Sequence, residues 1–128
     1  MVTDQAKGAM SVTLSRDLPR EWPLRQALQA AQAVLDGKLS VIEGSRALAD
    51  YMHDIVPNWS SDPDFVVFGV VASETDDLPT GESRRYWSSR ALEEFDAKTN
   101  RISSAAEGDV RAACANVIAR FRDSATYA

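Results

Sequence analysis

The chain has 128 residues, 45% hydrophobic and 26% charged, the mixture of one ordinary globular domain and not the charge-rich, aromatic-poor profile of a disordered chain. Its 14 Lys and Arg against 19 Asp and Glu give a net charge of −5, and the uneven placement of those charges disfavours nucleic acid, whose affinity rests on clustered bases. The longest apolar run, Phe65 to Ala72, falls far short of the roughly 20 residues that cross a bilayer, and the single Cys114 excludes an internal disulfide.

Taken in order, Met1 to Met10 carries Asp4 and Lys7 but no apolar stretch after a basic start, so it does not read as a secretory signal and a cytoplasmic location is expected. Residues 1–22 are expected to form a loosely ordered lead and residues 23–124 a single helical domain. The first helix should run from about Pro23 to Asp36, with Pro at a first-turn position and Leu24, Leu28, Ala31 and Leu35 at helical spacing. Gly37 ends it. Ser40 and Glu43 form a capping-box pair that starts a second helix, striped by Val41, Ser45, Leu48, Met52 and Ile55 and stopped by Pro57. The short Gly37-Lys38-Leu39 turn should fold the two back as an antiparallel hairpin.

The β-branched run from Phe65 to Ala72 fits either a buried strand or a buried helix. Its preface favours helix, with Asp62 as N-cap, Pro63 as first helical residue and Asp64 near the positive end of the dipole. A polar stretch from Ser73 to about Trp87 follows, with a turn expected at Pro79 and Gly81. Ser88 or Ser89 can then cap a long amphipathic helix whose stripe is Leu92, Phe95, Thr99, Ile102, Ala106, Val110, Ala113, Val117 and Phe121, with a break expected near Asp96. The fold expected is an all-α, single-domain bundle of four or five helices, with a long polar loop before a long C-terminal helix.

Charge along the chain is segregated. From Ala47 to Ser83 there are eight acids and no Lys or Arg, so this middle carries −8 and the flanks +3, an asymmetry that attracts a basic partner or simply makes a solvated acidic surface. Cys114 and His53 are the only thiol and imidazole. Cys114 lies on an apolar stripe, where free cysteine is a small buried hydrophobe, and one His with one Cys cannot build the usual zinc site. No phosphate loop, nucleophile elbow or Cys-x-x-Cys pair is present, no cofactor is expected, and the chain does not read as an enzyme.

Two groups carry the candidate site. Glu74, Asp76 and Asp77, with Asp62 and Asp64 upstream, would hold Mg²⁺ or Mn²⁺ if they converged; otherwise Ser73, Thr75 and Asp76 simply hold the turn through bonds to backbone amides. Arg84, Arg85 and Arg90 with Tyr86 and Trp87 are residue types enriched at the energetic centres of protein interfaces; alternatively Trp87 anchors the loop to the core and Arg84 pairs with Glu74 or Asp76. The expected function is a small acidic protein-binding module whose partner-binding residues are Glu74, Asp76, Asp77, Arg84, Arg85 and Trp87. The alternative is a carboxylate-metal enzyme using the region Asp62 to Glu82. Self-association through the long C-terminal helix is a third arrangement.

The segment Ser73-Glu74-Thr75-Asp76, followed by Leu78-Pro79, Gly81, Arg84, Trp87, Ala91-Leu92 and Asp96, resembles an uncharacterised family of small bacterial proteins. In that family a polar Ser-Glu-Thr-Asp segment precedes a Leu-Pro-x-Gly turn, an Arg, a Trp and a helix with a late Cys, to which Cys114 and Ile118 to Phe121 correspond. The likeness spans roughly Leu24 to Phe121 and implies a bacterial helical domain. In size and charge the chain also resembles immunity proteins, which cover the active site of a sibling toxin; that resemblance implies an inhibitor of a basic toxin domain.

Overall fold

The computed structural model describes residues 21–79 and 81–126, with side chains through residue 122. The first helix, α1, covers residues 21–35 and ends where Gly37 adopts φ +77°, a left-handed conformation that costs glycine nothing. Gly37 N–H donates to the Val34 carbonyl at 3.1 Å and Lys38 N–H to that of Ala33 at 2.8 Å, the paired bonds of a Schellman stop. Ser40 then opens α2 (Val41–Ile55): its hydroxyl accepts from Glu43 N–H at 3.0 Å while the Glu43 carboxylate accepts from Ser40 N–H at 3.3 Å, completing the capping box.

The two helices fold back antiparallel. Near the turn Val34 lies against Gly44, and at the far end the Trp22 and Tyr51 rings meet edge to face at 5.6 Å. That ring contact gives the residues before Pro23 a place in the helix, so Glu21 and Trp22 belong to α1 and Pro23 is not its first residue. The rest of the expected N-terminal lead lies outside the described residues. The buried side of α1 is Leu24, Ala27, Ala31 and Val34, one step round from the expected stripe, with Leu28 and Leu35 half-buried at its edge. The missing side chain of Gly44 lets Val34 of α1 come close to α2.

The apolar run is a helix, α3 (Val66–Glu74), and it starts later than Asp62 and Pro63 suggest. Asp62 heads a separate turn, its carboxylate accepting from Asp64 N–H at 3.0 Å and its carbonyl from the N–H groups of Phe65 and Val66. The reason lies far along the chain. Arg120 holds the carboxylates of Asp62 and Asp64 at 2.9 and 3.1 Å, and its guanidinium sits 4.8 Å from the centre of the Phe121 ring. Phe65 is thereby buried at the helix entrance, 6.0 Å from Phe121 and 6.2 Å from Phe68.

The last helix, α4 (Ser89–Thr126), is 38 residues long, about 57 Å at 1.5 Å per residue, and is continuous through Asp96. Asp96 does not break it because its side chain points outward to Arg84 and no proline interrupts the ladder. Ser88 caps the start, its hydroxyl accepting from Ala91 N–H at 3.1 Å. The core gathers Leu48, Met52, Phe65, Phe68 and Val71 against Val110, Cys114, Val117 and Phe121. Each of those large side chains contributes roughly 1.5–3 kcal/mol by leaving water. All the buried positions of α4 lie from Val110 onward; between Ser89 and Asp109 none is buried. Arg111 ties the ends of the bundle together, donating to the carbonyls of Val34 and Leu35 at 3.1 Å each, where the C-terminus of α1 has carbonyls without helical partners. Among the described residues no helix is long and apolar enough to cross a membrane.

Candidate partner-binding site

The site begins where α3 runs out. Thr75 is fully buried, its hydroxyl donates to the Val71 carbonyl at 2.8 Å, and its own carbonyl accepts from Arg46 Nη2. The Thr75 hydroxyl therefore serves a carbonyl of the preceding turn and not a backbone amide of the loop. With Thr75 pinned inward, Glu74 and Asp76 on either side are exposed. Asp77 reaches α4, both carboxylate oxygens lying 3.2 Å from Lys98 Nζ. Glu74, Asp76 and Asp77 thus share an open cleft of about 650 Å³ with Lys98 and Arg101. All three acids stand at the C-terminal end of α3, where the helix dipole is already negative.

Leu78 is buried, and a 3-10 turn over Gly81–Tyr86 carries the chain to the other flank of α4. There Arg84 makes a two-pronged bond to Asp96, at 2.9 and 3.0 Å, and not to Glu74 or Asp76. That bond holds the Asp96 carboxyl below its ordinary value and raises the Arg84 guanidinium further. Arg84 borders a second, smaller cleft of about 230 Å³ with Glu43, Arg46 and Leu78. Arg85 pairs with Glu82 at 3.0 Å and lies 5.1 Å over the Tyr86 ring. Trp87 sets its edge against Phe95 at 5.0 Å and still leaves 47% of its surface in solvent, while Tyr86 is 76% exposed. Trp87 is thus both a loop anchor and an accessible surface.

The structure therefore brings the six expected residues together as two groups: the acids in the cleft against Lys98, and Arg84, Arg85 and Trp87 on the turn above Phe95 and Asp96. Asp62 and Asp64 join neither group. They precede α3 while Glu74 closes it, the nine residues of the helix spanning about 13 Å, and each has Arg120 as its partner. Among the described residues no three His, Cys, Asp or Glu side chains are placed to hold one metal ion. The segregated charge of the sequence is also partly returned, because Lys98 and Arg120 of α4 lie against the acidic middle.

Cys114 is fully buried and its thiol is pushed up to about 11 by burial, with Arg111 opposing the shift. His53 is exposed and stands edge-on to Trp59 at 5.4 Å, so thiol and imidazole occupy different environments. Sequence reasoning missed Lys98, Arg101 and the exposed Val70. Only Val70 left a signal: a helix apolar on every side cannot bury all of its faces in a domain this small. No family model, curated protein or solved structure matches the chain.

Proposed function

We propose that this chain is a protein-binding module, and not an enzyme, that holds a basic partner through Glu74, Asp76 and Asp77, in the manner of an immunity-type inhibitor covering a toxin domain. Glu74 and Asp76 carry the reading: both are exposed, neither is paired to a described cation, and both lie at the negative end of α3. A cation delivered by a partner would offset that arrangement, and complementary charge would speed association. Arg84, Arg85 and Trp87 border the contact, with Trp87 as a packing anchor.

The test is capture of partners from a bacterial lysate on immobilised wild type, beside a variant carrying Glu74→Lys, Asp76→Lys and Asp77→Lys. A basic protein retained by wild type alone, with an association rate that falls as salt rises, is the expected result. Capture of nothing at low salt, or a partner indifferent to both charge reversal and salt, removes the reading. A melting temperature raised specifically by Mg²⁺ or Mn²⁺ would move it to a carboxylate-metal enzyme.

A further inference from the structure

We propose that the cleft between the start of α2, the 3-10 turn and α4 binds a free α-amino acid with a small aliphatic side chain, its carboxylate on Arg46 and its ammonium on Glu43. The proposal goes beyond the protein-binding reading, since Glu74, Asp76 and Asp77 do not line this cleft.

Glu43 and Arg46 stand three residues apart on α2, a spacing at which opposite charges are neighbours able to pair. They do not pair. Glu43 is turned back to the helix start, where Oε1 accepts from Ser40 N–H at 3.3 Å, while the Arg46 guanidinium donates to the Thr75 carbonyl beyond the end of α3. Among the described residues Glu43 Oε2 accepts no hydrogen bond and Arg46, although half-buried, has no carboxylate partner. A cation drawn partly out of water is stabilised best by an opposite charge, and here it meets only a neutral carbonyl. Two opposite charges are thus anchored separately at the mouth of one cleft.

The other two charges lining the cleft answer each other. Arg84 and Asp96 are joined by two bonds, at 2.9 and 3.0 Å, and form a neutral unit of its wall. Thr99, half-buried on α4, makes no side-chain hydrogen bond to a described residue and offers its hydroxyl to either end of a ligand. Ile42 and Leu78 are buried and Pro79 is half-buried, so the remaining lining is apolar.

That combination selects the occupant. Side chains three apart on a helix have Cβ atoms about 5–6 Å from one another, and a molecule carrying carboxylate and ammonium on a single carbon can reach both charges at once. At about 230 Å³ the cleft is smaller than the roughly 300–1,000 Å³ that drug-sized ligands fill, which limits the aliphatic part to a few carbons, as in valine or leucine.

The experiment titrates the full chain with L-leucine and, in parallel, with 4-methylpentanoate, which lacks the ammonium, and 3-methylbutylamine, which lacks the carboxylate. Amide shift changes are read by NMR. L-leucine is expected to perturb residues 40–46, 81–84 and 96–99 saturably, with a Kd of about 1 mM or below, and each analogue to bind about tenfold more weakly. Glu43→Gln keeps an oxygen for Ser40 N–H, so the capping box survives while the charge goes; it should weaken L-leucine about tenfold and leave 4-methylpentanoate unchanged. Arg46→Gln should weaken both carboxylates and spare 3-methylbutylamine, and if that variant melts early the Glu43→Gln split decides alone. No saturable shift up to about 20 mM L-leucine, equal binding of the three ligands, or wild-type affinity in Glu43→Gln each overturns the proposal. Binding that maps to residues 73–77 also overturns it. None of these outcomes touches the protein-binding reading, which the lysate capture tests separately.

Discussion

Gly44→Ala is the substitution whose sign the structure decides against helix propensity. Alanine in a helix interior is worth roughly 1 kcal/mol over glycine, so the sequence alone predicts a gain. A Cβ on Gly44 would instead overlap Val34 Cγ2 and stand 3.5 Å from Val34 Cβ. Carbon atoms in contact sit about 3.5–4.0 Å apart, so one of the two must move. Val34 is 1% exposed and β-branched, with one strongly preferred rotamer in a helix, and has nowhere to turn. Overpacking of this kind costs typically 1–3 kcal/mol, which cancels the propensity gain and leaves the variant less stable by up to about 2 kcal/mol. Urea unfolding should show a lower midpoint at unchanged slope, and Val34→Ala should cost less in the Gly44→Ala background than in wild type. Gly108→Ala is the matched control: Gly108 is exposed within α4 with nothing near its missing Cβ, so this change should stabilise by roughly 1 kcal/mol. Equal stabilisation by both substitutions would refute the close approach of α1 and α2.

Arg111→Met keeps most of the side-chain stem but removes the donor to the Leu35 carbonyl and leaves that of Val34 with Gly37 N–H alone; a loss of about 1–3 kcal/mol by urea unfolding is expected, and a loss near zero would show that solvent replaces the guanidinium. The carboxyl of Asp96 is held below its ordinary value of 3.8 by Arg84, so this pair supports the fold fully above that value and loses its contribution as pH falls through the lower, folded-state value. Asp96→Asn should therefore flatten the acid limb of the stability profile below the ordinary carboxyl value of 3.8, and an unchanged limb would remove the pair from the account. Cys114, buried and raised to about 11, should resist a thiol reagent at pH 8 in the folded protein and react at once in urea; rapid native labelling would place it outside the core.

What was legible in the sequence had a local cause. The Ser40 and Glu43 box, the Gly37 stop and the Ser88 cap each involve groups within a few residues of one another, and each stands as read. The entrance of α3 was misread because Asp62 answers to Arg120, 58 residues away, and no local rule contains that pairing. Arg84 likewise chose Asp96 over the nearer acids because α4 passes under its turn. The acidic middle looked segregated because charge was counted along a line, whereas the antiparallel return of α4 sets Lys98 and Arg120 beside it. Glu74, Asp76 and Asp77 line one cleft for a simple reason: four consecutive residues at a helix end cannot be far apart.

The unequal burial along α4 makes one continuous helix into two thermodynamic segments. From Val110 to Phe121 its amides open only when the core does, whereas from Ser89 to Asp109 each turn relies on backbone bonds, half-buried side chains and exposed ion pairs at Asp96 and Lys98. Hydrogen exchange should therefore fall in a step, not a slope, near Asp109. A ligand contacting Lys98 or Arg101 would register as slower exchange over the first segment while the second, already at the limit set by global unfolding, hardly changes, so one isotope experiment would report both binding and its location.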